Sequence, residues 1–117
     1  MKVADLLAEL QRQVSQRPYF SRLEVLDQSA TLLKARLFIS ADLFVQIYRN
    51  NRFDTTNLVL IHNGQRLYAR DQLSGRWHRH VAIDPDRHDT SPEGSRSASL
   101  NDFLNEAETL LAELGLP

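Results

Sequence analysis

The chain has 117 residues, of which 42% are hydrophobic and 25% charged, with no cysteine and a formal net charge of −1. That is one domain, residues 1–117, with enough apolar content for its own core; the missing cysteines exclude disulfides, thiolate catalysis and Cys-based zinc sites. No run of ~18 apolar residues is present, and Asp5 falls where a signal peptide needs its apolar stretch, so a cytoplasmic protein without membrane contact is expected.

Val3, Leu6, Leu7, Leu10 and Val14 recur at i, i+3, i+4, i+7 and i+11, one face of an amphipathic helix over residues 2–16 that Pro18 ends. Short β-type runs follow at Arg22–Leu26, Ala30–Ile39, Leu43–Arg49, Thr56–His62, Gln65–Arg70 and Arg76–Val81. Their short connections favour an antiparallel meander. Asn63-Gly64 is the strongest local signal, because both residues accept positive φ and suit a two-residue type I′ turn. Residues 82–98 carry Pro85, Pro92, Gly94, Asp84, Asp86, Asp89, Glu93 and three serines, which reads as a long acidic Pro/Ser loop. Ser99 then offers an N-cap with Asp102 at N3; Leu100, Phe103, Leu104, Ala107, Leu110, Leu111 and Leu114 make an apolar stripe, and Gly115 supplies the stop. The predicted fold class is α+β: an N-terminal helix, an antiparallel β-meander of five to six strands and a C-terminal helix, with both helices on one face of the sheet.

Hairpin register sorts the side chains by face. A three-residue loop at Ser40-Ala41-Asp42 pairs Ile39/Leu43, Leu37/Val45 and Ala35/Ile47 on the core side, and Phe38/Phe44, Arg36/Gln46 and Lys34/Tyr48 on the other. A turn at Asn63-Gly64 sends Leu58, Leu60, Leu67 and Ala69 to the core and Arg66, Tyr68 and Arg70 outward. The next loop is read at five residues, 71–75, because a loop of four would bury His78 and His80 and expose Trp77; five places Trp77 inward and sets Arg70 opposite Arg76, Tyr68 opposite His78 and Arg66 opposite His80. The outer face so derived holds Lys34, Arg36, Tyr48, Arg66, Tyr68, Arg70, Arg76, His78 and His80, with no acid from these strands.

The net charge of −1 therefore hides a partition. Six arginines against Asp54 and Asp71 lie between Arg49 and His80, while the acids concentrate elsewhere. Guanidinium groups interleaved with aromatic rings on an open sheet suit RNA, the forks meeting phosphates and the rings stacking on bases. Metal-independent RNA cleavage needs a base for the 2′-hydroxyl, an acid for the leaving 5′-oxygen and cations for the phosphorane. His78 and His80 fit the first two roles, Arg66, Arg70 and Arg76 the third, and Tyr68 is a further proton carrier or stacking ring. Lys34, Arg36 and Tyr48 complete the phosphate- and RNA-binding set. No cofactor and no metal is expected, although His78-x-His80 with His88, Asp84 or Asp86 is an alternative ligand set for a metal-dependent hydrolase. Two other readings stay open. The histidines are simply solvated, or the face, with Phe38, Phe44, Val59 and Ile61 on it, covers a protein partner or a second copy in a homodimer.

The second half, about residues 30–114, resembles the TumE family of small toxins encoded beside helix-turn-helix antitoxins. The resemblance rests on Leu67-Tyr68-Ala69-Arg70-Asp71, Trp77-His78-Arg79-His80, the Asp/Pro loop with His88, and the Leu-x-x-Phe-Leu helix opened by Ser99-Leu100. Family members carry Asn after the Asp and a nearby His pair; this chain has Gln72 and spreads its histidines differently. The resemblance implies an antitoxin-neutralised toxin acting on RNA, and it adds Asp71 and His88 to Tyr68, His78 and His80 as catalytic candidates.

Overall fold

Two segments with apolar side chains at helical spacing flank a run of strands. In the order of the chain these are α1 (Val3–Gln16), β1 (Arg22–Gln28), β2 (Leu32–Ser40), β3 (Leu43–Asn50), β4 (Thr55–His62), β5 (Gln65–Leu73), β6 (Arg76–Val81), β7 (Asp84–Asp89) and α2 (Leu100–Leu114). The structure, a computed structural model, describes residues 2–81, 84–89 and 99–116. All seven strands form one antiparallel sheet in sequence order, so the expected α+β meander is the architecture, and β7 extends it into the acidic segment. Among the described residues no helix is long and apolar enough to cross a membrane.

Both helices lie on one face and share one core. Val3, Leu6 and Leu10 of α1 and Leu100, Phe103, Leu104, Ala107 and Leu111 of α2 pack with Leu33, Ala35, Leu37, Val45, Ile47, Leu58 and Leu60 of the sheet. The α2 stripe reaches Leu111, but Leu114 is exposed. Helix α2 starts at a closed capping box: the Asp102 N–H donates to Ser99 Oγ (3.1 Å) and the Ser99 N–H to Asp102 Oδ2 (3.2 Å). It ends at Gly115, whose φ of 68° is left-handed. Removing the cap with Ser99→Ala is expected to cost about 1 kcal/mol, read in a thermal melt as a Tm lowered by about 4 °C.

The β2–β3 pairs Leu37/Val45, Ala35/Ile47, Phe38/Phe44, Arg36/Gln46 and Lys34/Tyr48 form as the hairpin arithmetic predicts, with a register shift near the turn that pairs Ser40 with Leu43. Asn63 and Gly64 have φ of 52° and 76°, and His62 faces Gln65 across them. The expected β4–β5 register then fails. A shift after Ile61/Arg66 skips Leu67, so Leu60 pairs with Tyr68 and Leu58 with Arg70. One extra residue turns every later side chain of β5 over. Tyr68 and Arg70 point toward the helices, and Ala69 and Asp71 point away from them.

The next hairpin corrects the expected five-residue loop. Ser74 and Gly75, with φ of 50° and 79°, make a two-residue turn, so that Leu73 faces Arg76, Asp71 faces His78 and Ala69 faces His80. A side chain at Gly75 would be strained by its φ of 79° and would bring a Cβ to 3.0 Å from Asp54 Oδ2, while the Gly75 N–H donates to the Asp54 carbonyl (3.1 Å). The bulge inverts β5 against β4, and the even loop inverts β6 against β5. The two inversions cancel, which leaves His78 and His80 on the outer face and Trp77 on the helix side, as expected but for a different reason.

Candidate functional site

Strand alternation carries His78 and His80 to the same side of β6, and the cross-strand partner of His78 is Asp71. These three groups meet. His80 Nε2 stands 3.0 Å and His78 Nε2 4.0 Å from the same Asp71 oxygen, Oδ2. The two imidazoles lie edge to face with centroids 5.6 Å apart. All three residues are buried, at 8%, 7% and 3% exposure for Asp71, His78 and His80. Burial pushes the Asp71 carboxyl above its ordinary value, against the pull of His80, His78 and Arg66, which favour the charged form. Asp71 Oδ1 and Asn57 Oδ1, from the residues paired across β4 and β5, are buried with no hydrogen-bond partner among the described residues.

The expected outer face is corrected in two respects. First, Tyr68 and Arg70 are not on it. The Tyr68 hydroxyl donates to Glu106 Oε2 (2.7 Å), and Arg70 grips the same carboxylate through Nε to Oε1 (3.2 Å) and Nη2 to Oε2 (2.7 Å). The Tyr68 ring also stacks on Phe103 at 5.7 Å. Burial and the Glu106 hydrogen bond push the phenol up to about 12, which leaves it a neutral anchor for α2 at ordinary pH. Second, the face is not free of acid. Asp71 lies on it, with Glu24 opposite Arg36 and Asp27 opposite Lys34.

The remaining candidates divide. Arg66 is the guanidinium whose charge acts on Asp71. Arg76 is exposed at the far end of the β5–β6 hairpin. Arg36 stacks over Phe44 (5.0 Å) and donates to Gln46 (3.2 Å), Arg22 stacks over Phe38 (4.3 Å), and the two rings are 5.2 Å apart. Of the apolar patch expected to need a partner, the Phe38 and Phe44 rings thus lie under the chain's own guanidiniums, with Phe38 only 7% exposed, while Val59 and Ile61 are half-buried. Lys34 is exposed, and the Tyr48 hydroxyl accepts from Asn50 Nδ2 (3.3 Å). The His88 side chain and the loop residues 82–83 and 90–98 lie outside the described residues.

Hairpin geometry alone did not nominate Asp71; only the family resemblance did. The missed signal was Ser74-Gly75, a turn dipeptide which, read as a two-residue loop, puts Asp71 directly opposite His78. Compared with protein-family models, curated proteins and solved structures, the chain finds no match.

Proposed function

We propose that this chain is a toxin-like, RNA-directed protein that cleaves RNA without a metal at Asp71, His78 and His80. The observation that carries the reading is the convergence of two imidazoles on one buried carboxylate, on the sheet face that also holds Arg66, Arg36 and Lys34. Asp71 orients His80, the nearer imidazole, which takes the 2′-hydroxyl proton as that oxygen bonds to phosphorus. His78, protonated, gives its proton to the 5′-oxygen as the P–O5′ bond breaks, leaving a 2′,3′-cyclic phosphate and a 5′-hydroxyl. Arg66 offers positive charge to the phosphorane, in the manner of preorganised donors at other transition states. The proposed setting is the cytoplasm, with a helix-turn-helix antitoxin as neutralising partner.

The test is incubation of the full chain with RNA, with and without chelator. Cleavage that persists with chelator and disappears in the His78→Ala/His80→Ala double variant is the expected result. Cleavage that survives in the double variant refutes the assignment. The second reading is a non-catalytic interaction module, and one observation favours it: β1 is an edge strand with Val25 and Leu26 at 41% and 39% exposure. No cleavage under any condition, together with concentration-dependent self-association, selects that reading.

A further inference from the structure

Two imidazole nitrogens and a carboxylate oxygen converge around Asp71. The two His78 and His80 nitrogens and an Asp71 oxygen lie within 4.8 Å of one another, at 3.0 and 4.0 Å for the two pairs made with Oδ2. Bond lengths of about 2.0–2.2 Å in a tetrahedral zinc shell place ligand atoms about 3.3–3.6 Å apart. The observed separations bracket that value, so side-chain adjustments of about 1 Å close a shell around one ion. The frame that holds the donors is a paired ladder: His78 and His80 lie two residues apart on one strand, and Asp71 is the cross-strand partner of His78. Their burial means that the desolvation cost of a binding site has been met in folding, and Asp71 Oδ1 has no hydrogen-bond partner among the described residues.

We infer that Asp71, His78 and His80 form a binding site for one divalent transition-metal ion, with zinc as the best fit. Donor chemistry selects the class. Two imidazoles suit zinc, cobalt, nickel and copper, whereas magnesium and calcium need several oxygens. Among the described residues the site holds one carboxylate, and the Arg66 charge acts on it, which further disfavours a hard cation held by electrostatics. These three described residues supply three of the four positions of a tetrahedral shell. Ligation through Nε2 leaves the one ring proton on Nδ1, so a ligated imidazole can serve neither as the base nor as the protonated acid. The metal-loaded and metal-free proteins are therefore distinct states, and zinc suppresses the metal-free cleavage; that consequence alone rests on the proposed function.

The test uses the full, untagged chain stripped with chelator and dialysed, then titrated with cobalt(II) and back-titrated with zinc. One equivalent of cobalt, with the visible absorption of a four-coordinate nitrogen/oxygen site that zinc abolishes, is expected. Asp71→Asn and His80→Gln are each expected to weaken uptake at least about tenfold, with circular dichroism confirming the fold, while His62→Gln leaves uptake unchanged. Should either site variant fail to fold, a Tm that zinc raises in the wild type but not in His78→Gln supplies the same reading. No uptake by the wild type, or uptake that survives in the site variants, or that is lost in His62→Gln, overturns the site whatever the cleavage assay shows. Cleavage that zinc stimulates keeps the site and refutes the metal-free mechanism. Absence of cleavage by the stripped protein refutes the proposed function and leaves the metal site standing.

Discussion

Replacing Glu106 by leucine is expected to destabilise the protein by about 3–5 kcal/mol, the range for removing one partner of a buried ion pair. Arg70 has no exposed surface, and Glu106 is the carboxylate it grips at two points. The same change strips the Tyr68 hydroxyl of its acceptor and loosens the stacking of that ring on Phe103. The paired replacement Arg70→Met/Glu106→Leu is expected to recover most of the loss, because apolar groups of similar volume need no compensating charge. Denaturant unfolding with a common m-value checks both. The result also tests the register. If Tyr68 and Arg70 lay on the outer face, Glu106 would be an ordinary surface acid and its loss would stay within about 0.5 kcal/mol. A loss that small contradicts the bulge at Leu67.

The second large effect is on chemistry. His80→Ala is expected to lower RNA cleavage about 10²–10⁴-fold, the usual worth of a positioned general base, in a protein that remains folded. Tyr68→Phe is expected to leave the rate within about twofold, because the hydroxyl is spent on Glu106, on the far side of the sheet from the imidazoles. Asp71→Asn should fall between them, since the amide keeps the shape beside His80 but loses the charge. Single-turnover rates, read beside the circular dichroism of each variant, separate the three. A Tyr68→Phe variant as impaired as His80→Ala would mean that the hydroxyl reaches the substrate, which the strand pairing forbids.

Much of the fold was legible because it rests on local patterns. The stripe Val3, Leu6, Leu10 needs only the helical period, the capping box at Ser99 only the next three residues, and the β2–β3 pairing only alternation and a short loop. The site was less legible because the relation between faces depends on parity. A single skipped residue at Leu67 and a loop of two residues instead of five each reverse a face, and alternation cannot reveal either. His78 and His80 ended on the expected face only because both reversals occurred.

The near-zero net charge shows the same division. Sequence alone determined that arginines concentrate between Arg49 and His80, and that two histidines on one strand point the same way. The tertiary structure decided which of these charges face outward. Arg70 went inward because α2 presents Glu106 and Phe103 to receive Arg70 and the Tyr68 ring, and Asp71 went outward beside the imidazoles because it is the next residue along the same strand. That choice is made by the contacts of a helix some 30 residues further along the chain. A carboxylate came to lie between two imidazoles as a consequence of packing on the opposite face of the sheet.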